Sequence, residues 1–408
     1  AIAHELGQWC VYPDYREIPS YTGVLRPRNL EMFRDSLRNN HMLDQAREFA
    51  VASGKLQKLM YKADIETLLR TPGAGGFQLL ALQDFPGQGT ALEGFLDAFW
   101  NSKGVTTPDE FRQFCSETVP LLRLPKLVYT TNESLEARAE IAHFGPAPIL
   151  RAQPGWTART AAGAVVASGA SEVRDIPLGN AIPLGDLTLP LNNIPAPAKL
   201  TLSVYLAGTP HANCWDVWVY PADQQADEGR VIVASKWDNS VEANLRRGRS
   251  VLLLPSKIDP GRQVKSAFEP IFWNTQWFHN QPRQLGILCD PRHPAFAQFP
   301  NDGHTDWQWW DLLNKSCVMQ LDGADPAFRP LVQVIDDWNT NRRLGAVYEA
   351  RVGKGSLLVC TLDITSNLDT RPAAAALRRS LLQYMNSPDF APRSSLSLNW
   401  LAKALTPP

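Results

Sequence analysis

Glu5 closes a short apolar run at the head of the chain, and the residue types around it suit work on hydroxylated rings. In Ala1-Ile2-Ala3-His4-Glu5-Leu6-Gly7-Gln8-Trp9-Cys10-Val11-Tyr12-Pro13, a carboxylate stands among an imidazole, an amide and two aromatic rings. A flat aromatic face stacks on a pyranose and amides bond its hydroxyls. A carboxylate held between them can act at an anomeric carbon. The alternative is a solvated Glu in a frayed terminal segment. A second stretch, Asp84-Phe85-Pro86-Gly87-Gln88-Gly89-Thr90, is glycine-rich. Its glycines let backbone approach a ligand closely, or they simply make turns.

These residues need a frame. Glu5 would stand at the C-terminal end of a strand, where (β/α)8 barrels keep their catalytic groups. A loop to Pro27 is followed by helical spacing from about Asn29, with Leu30, Phe33, Leu37, Ala46, Phe49 and Ala50. A second helix is expected from Gly54 to about Leu69, ending at Thr71-Pro72-Gly73. Gly76-Phe77-Gln78-Leu79-Leu80-Ala81-Leu82-Gln83-Asp84 then reads as a buried parallel strand. Strand, helical excursion and strand would bring Glu5 and Asp84 to the same end of neighbouring strands. A helix from Pro108 to about Thr118 would close the last turn of that frame.

His4-Glu5-Leu6-Gly7-Gln8-Trp9, Gly76-Phe77-Gln78-Leu79-Leu80 and Asp84-Phe85-Pro86-Gly87-Gln88-Gly89 together resemble the end of the catalytic barrel in bacterial glycoside hydrolases of family 2, the β-galactosidase-like type. The resemblance covers roughly residues 1–125 and implies the C-terminal part of a (β/α)8 TIM barrel. It matches Glu5 to the nucleophile at the end of the seventh strand. It also implies substrate contacts from His4, Gln8, Trp9, Gln83, Asp84 and Gln88. The family's Trp in the last strand is replaced here by the neighbourhood of Leu79 and Leu80, so a subsite wall would come from Phe85, Trp100 or Trp9. The family's acid/base, a Glu following an Asn after the fourth strand, finds no counterpart. The chain is therefore expected to be the C-terminal portion of a longer enzyme.

Composition sets the outer bounds. At 408 residues the chain holds two or three domains. A net charge of −1 gives no argument for nucleic acid. Thirteen Trp lean towards carbohydrate handling, although most Trp in any protein are core. Cys10, Cys115, Cys214, Cys289, Cys317 and Cys360 are scattered singly and predict buried free thiols, with neither a zinc site nor a disulfide framework. No apolar run is long enough for a membrane span, and no cofactor or metal is expected.

From Pro125 the texture changes to short alternating strands around 127–129, 135–142, 156–158, 165–167, 187–189, 200–206 and 216–221. This predicts an antiparallel β-sandwich of immunoglobulin type over 126–222, in which His143 and His211 are structural. Residues 223–408 alternate strands and helices and predict a doubly wound α/β domain, ending in a helix from Arg371 to Tyr384. That domain resembles the amidotransferase-like domain appended to several glycosidases. Cys289 and Cys360 lack the small-residue elbow of a nucleophile, so the domain is expected to be non-catalytic. His304-Thr305-Asp306-Trp307-Gln308-Trp309-Trp310-Asp311 is read either as a glycan platform or as rings buried against the sheet.

Two functional classes remain. The first is a retaining glycosidase cleaving O-glycosyl bonds of plant or microbial glycans, extracellular or periplasmic by the resemblance and compatible with a homo-oligomer. The second is a non-catalytic carbohydrate-binding or scaffold protein.

Overall fold

The computed structural model describes residues 1–405, which form two compact units. Residues 1–8, 58–82 and 104–223 make the first; residues 9–57, 83–103 and the described residues from 224 onward make the second. Two long helices come early, Arg28–Asn39 (α1) and Ala46–Leu69 (α2). In α1, Leu30, Phe33 and Leu37 recur at helical spacing and are buried. Gly54, expected to open a helix, lies inside α2. One helical Gly costs only about 1 kcal/mol relative to Ala, and the buried Phe49, Ala52, Leu56 and Met60 on either side outweigh it.

In the first unit, Ile2–Leu6 (β1) and Gly76–Leu79 (β2) pair in parallel as a two-stranded sheet. The expected barrel portion is therefore not formed: among the described residues no sheet closes on itself. Closure requires about eight tilted strands with a matching stagger, and two strands leave both edges open. β2 is also shorter than the apolar run from Gly76 to Asp84 suggested, and no part of it is fully buried.

Helix α3 (Pro108–Arg112) starts on a capping box between Thr107 and Glu110. It stops well short of Thr118, which instead opens the next strand. The strands that follow are Thr118–Arg123 (β3), Val128–Thr130 (β4), Ser134–His143 (β5), Ile149–Ala152 (β6), Pro154–Thr160 (β7), Val165–Ala170 (β8), Arg174–Ile176 (β9), Gly179–Pro190 (β10), Ala198–Leu206 (β11) and Ala212–Tyr220 (β12). They form a three-stranded sheet, β10-β5-β3, and a five-stranded sheet, β4-β12-β11-β7-β8, with β6-β9 as a separate ribbon. Alternate residues of both larger sheets, among them Leu135, Ala137, Leu187, Leu200, Leu202 and Val217, bury into one shared core.

One buried network ties α2 to this unit's strands. Glu66 accepts from Asn213 Nδ2 at 2.8 Å, Trp215 Nε1 at 2.9 Å and Arg70 at 3.3 Å, and pairs with Lys62. The Lys62 ammonium lies 4.8 Å from the Trp215 ring centroid. His143, buried, bonds Thr118 Oγ1 at 2.8 Å and the Ala147 carbonyl at 2.9 Å, so its role is structural.

The second unit is built on an eight-stranded sheet. Its members are Ile232–Ala234 (β13), Ser250–Leu253 (β14), Gln263–Lys265 (β15), Gln284–Cys289 (β16), Cys317–Gln320 (β17), Val332–Asp336 (β18), Leu344–Val352 (β19) and Gly355–Cys360 (β20). Only β13-β14-β20 pair in parallel; the other pairs are antiparallel. The expected doubly wound sheet is thus a mixed one. The turn at Gly353-Lys354 joins β19 and β20 directly, and so short a link permits only antiparallel pairing. Helices Asn239–Arg246 (α4), Trp309–Asn314 (α5), Pro372–Asn386 (α6) and Leu398–Leu405 (α7) accompany the sheet. α6, expected to be the last helix, is followed by α7, whose Leu401, Ala404 and Leu405 join the core beside Val251, Leu253 and Leu321.

The Trp-rich stretch divides. Trp309 is fully buried edge-to-face with Phe299 at 5.1 Å, Trp307 stacks on Phe268 at 5.1 Å, and Trp310 is exposed. Cys289 and Cys360 are buried. Burial pushes both thiols up, with Asp306 and Asp290 adding to the effect at Cys289, and Cys360 is raised to about 12. Thiols held protonated in this way are poor nucleophiles. All six cysteines are free, but only Cys10, Cys289 and Cys360 are buried as expected; Cys115, Cys214 and Cys317 are partly exposed.

Candidate functional site

The predicted site residues fall into both units. His4, Glu5 and Gln8 belong to the first, and Trp9, Gln83, Asp84 and Gln88 to the second.

In the first unit the β1/β2 ladder carries the local chemistry. Ala3 pairs with Phe77 and Leu6 with Leu79, so β1 advances three residues where β2 advances two. The extra residue makes a bulge at His4-Glu5, and Glu5 takes a left-handed backbone, φ +55°. A bulge re-aims a side chain out of the regular ladder, and a left-handed conformation is uncommon for Glu. The Glu5 side chain is 49% exposed, with its carboxylate 3.4 Å from His4 Nε2. The other nitrogen of His4, Nδ1, bonds Gln78 Oε1 at 2.9 Å. Gln8 donates from Nε2 to the Glu5 carbonyl at 2.6 Å, which fixes the backbone rather than the carboxylate. Gly7, φ +74°, must be glycine: a Cβ there would lie 2.3 Å from the Tyr61 ring.

In the second unit a self-braced loop runs over residues 83–103. Gln83 bridges to Leu96, and Leu96 bridges to Ser102. Asp84 is its hub. The buried carboxylate takes Lys103 Nζ at 2.6 Å and the Gly94 amide at 2.9 Å. Burial raises Asp84 against the opposing pull of Lys103. Gly94 touches the same backbone so closely that a Cβ would fall 2.3 Å from the Gln83 carbonyl carbon. Glu93, next to it and buried, has its carboxyl pushed up to about 7 by burial first and by the Asp84 charge, with Lys103 opposing. Gln57 gathers this loop and the start of the chain, donating Nε2 to the Trp9 carbonyl at 2.9 Å and the Glu93 carbonyl at 2.7 Å. Trp9 pairs with Phe272 through a backbone bridge, and Gln88 is exposed at the loop tip.

Glu93, Lys103 and Gln57 were not singled out by sequence reasoning. The signal that could have found Glu93 is a lone acid inside the apolar run Ala91-Leu92-Glu93-Gly94-Phe95. A carboxyl that titrates near neutrality can take or give a proton at working pH.

The sequence does contain an Asn-Glu pair, Asn132-Glu133, in the turn between β4 and β5. Although burial tends to raise Glu133, its bonds from Lys126 and from Thr130 hold it below the usual carboxylate range. A general acid needs the opposite shift. Among the described residues no group of three or more His, Cys, Asp or Glu is placed to hold a metal ion, and no helix is long and apolar enough to cross a membrane.

Two family models match the chain, each described as a domain of unknown function: DUF8488 over residues 133–221 and DUF8487 over residues 232–406. No curated protein matches it. Among solved structures it is similar to the sporulation control protein Spo0M of Bacillus subtilis, at 13% identity and TM-score 0.20 over 26% of this chain and 50% of that one. It is similar to a β-glucuronidase of Parabacteroides merdae, at 15% identity and TM-score 0.19 over 25% of this chain and 13% of that one. A putative β-galactosidase of Bacteroides fragilis gives 12% identity and TM-score 0.19 over 33% and 24%. The chain thus spans half the length of the sporulation protein and a quarter or less of the two glycosidases.

Proposed function

We propose that this chain is the nucleophile-bearing part of a retaining glycoside hydrolase. The observation that carries the reading is the bulge at His4-Glu5, which turns an accessible carboxylate out of the end of a parallel strand in a left-handed backbone. Such conformations cost about 1–3 kcal/mol each and persist where surrounding structure enforces them; here Gly7 against Tyr61 and Gln8 on the Glu5 carbonyl do so.

In the proposed reaction a Glu5 oxygen forms a bond to the anomeric carbon as the glycosidic C–O bond breaks. The leaving oxygen takes its proton from a second carboxylic acid outside this chain, set about 5–5.5 Å from Glu5. Water, activated by that same group, then releases the sugar and restores the Glu5 carboxylate. His4, bonded to Gln78, orients the Glu5 carboxylate, and Asp84 holds the shape of its loop.

The test follows from the missing acid. Dinitrophenyl 2-deoxy-2-fluoroglycosides leave without protonation and trap the glycosyl-enzyme. Incubating the chain with the β-galacto, β-gluco and β-xylo reagents should add one glycosyl group to the tryptic peptide ending at Arg16. Glu5→Gln should abolish the label. Labelling that persists in Glu5→Gln, or none with any reagent, refutes the proposal and favours a binding or scaffold protein.

A further inference from the structure

Positive charge gathers at one end of the second unit's sheet, where β14, β19 and β20 meet. Arg246-Arg247-Gly248-Arg249 leaves helix α4, Arg351 and Lys354 stand at the turn between β19 and β20, and Arg393 lies on the segment after α6. Backbone contacts hold these pieces together. The Ser356 amide donates to the Arg249 carbonyl at 3.3 Å, and a Cβ on Gly355 would lie 2.5 Å from that oxygen, so the approach requires glycine. The Arg351 amide donates to the Ser394 carbonyl at 2.8 Å, and the Leu396 amide donates to the Arg351 carbonyl at 3.1 Å. The Arg351 guanidinium donates from Nη2 to the Arg393 carbonyl at 3.2 Å.

Arg351, Ser356, Ala391, Pro392 and Arg393 line an open recess of about 510 Å³. Arg351 and Ser356 are register partners on neighbouring strands, so their side chains leave the same face of the sheet. Among the described residues Arg246 pairs with Glu242 at 3.6 Å, whereas Arg247, Arg249, Arg351, Lys354 and Arg393 have no ion pair, and the Ser356 hydroxyl has no hydrogen bond. The one acid in β19, Glu349, takes the Tyr384 hydroxyl at 2.7 Å, and burial pushes its carboxyl up. Asp389, the one acid between α6 and Leu396, does not line the recess. In a chain of net charge −1, this clustering comes from placement and not from composition.

We propose that the recess binds a small organic molecule through a phosphate or sulfate monoester. A single guanidinium already satisfies a carboxylate with two parallel bonds. Two guanidiniums from separate segments and a hydroxyl instead match a tetrahedral group with three free oxygens. The recess is also larger than one such group and falls within the range of about 300–1,000 Å³ typical of small-molecule sites. Ala391 and Pro392 give the body of the ester an apolar wall. The cations outside the recess raise the local potential and draw an anion in. The proposal is independent of the Glu5 assignment.

The experiment titrates the full chain by calorimetry at low ionic strength with four probes: phenyl phosphate, phenyl sulfate, benzoate and inorganic phosphate. At least one of the two esters should bind saturably, and about tenfold or more tighter than both benzoate and inorganic phosphate. Arg393→Gln should weaken that ester about tenfold or more, the loss expected for one charge-assisted donor pair. Its Tm should match the parent's, because among the described residues the Arg393 guanidinium has no protein partner. Ser356→Ala should weaken the ester about threefold or more. Failure of both esters to bind overturns the proposal, as does unchanged affinity in Arg393→Gln. Benzoate binding as tightly as the ester overturns the tetrahedral head group, and inorganic phosphate doing so overturns the organic body. Lost affinity together with a lowered Tm in Arg393→Gln overturns the site as well, since the guanidinium would then be holding the fold. Glycosyl labelling at Glu5 is a separate readout, and neither result decides the other.

Discussion

Replacing Glu93 by Gln should change the pH dependence of stability more than stability itself. Burial and the Asp84 charge raise the Glu93 carboxyl from 4.5 to about 7. Below pH 4.5 it is protonated in both folded and unfolded chains, and whatever it contributes is fully present. Between 4.5 and 7 the unfolded chain releases the proton while the folded chain retains it, so stability falls as pH rises; above 7 both forms are ionised and the loss is complete. The shift of about 2.5 pH units at 1.36 kcal/mol each sets that loss at about 3 kcal/mol. Gln mimics the protonated form and titrates nowhere. Asp84 and Lys103 are present in both proteins, so the difference between their curves isolates Glu93. Urea unfolding of parent and Glu93→Gln at pH 4.5 and about pH 8, followed by Trp fluorescence and by hydrogen exchange at the Asp84 and Gly94 amides, measures it. The variant should gain up to about 3 kcal/mol on the parent at the higher pH. Parallel stability curves across that interval would refute the reasoning, because they would mean that Glu93 is ionised in the folded chain at all these pH values.

Further outcomes follow from the same contacts. On the proposed glycosidase reading, Glu5→Gln should lower kcat by several orders of magnitude while leaving ground-state sugar affinity nearly unchanged, as steady-state kinetics and calorimetry would show. Glu66→Ala leaves Asn213, Trp215 and Lys62 without their shared acceptor and should cost about 3–5 kcal/mol in chemical denaturation; Glu66→Gln, which keeps an acceptor oxygen, should cost less. Gly94→Ala must displace the Gln83 backbone, costing about 1–3 kcal/mol and speeding amide exchange at Gly94. Trp309→Ala should destabilise by about 3–5 kcal/mol, whereas Trp310→Ala, at an exposed position, should leave unfolding almost unchanged.

What the sequence determined by itself is local. The helical spacing of Leu30, Phe33 and Leu37, the alternation in Ser134–His143 and Ala198–Leu206 and the single scattering of the cysteines were all legible, because each depends on neighbours within a few residues. The capping box at Thr107 is likewise written in sequence, yet the length of the helix it starts was not. Thr118 is claimed by a strand whose partner, β5, pairs it with His143. The same limit applies to sheet direction: nothing in Cys317–Gln320 or Val332–Asp336 says parallel or antiparallel, since that choice belongs to distant partners. Only the tertiary structure could decide the site's character. Glu5 becomes distinctive through a register slip against Gly76–Leu79, more than 70 residues away. Asp84 was expected as a substrate contact on the resemblance, whereas Lys103 and Gly94 enclose its buried carboxylate. Glu93 acquires its raised carboxyl only when the loop folds over it, because desolvation is a property of the surroundings and a sequence does not contain its surroundings.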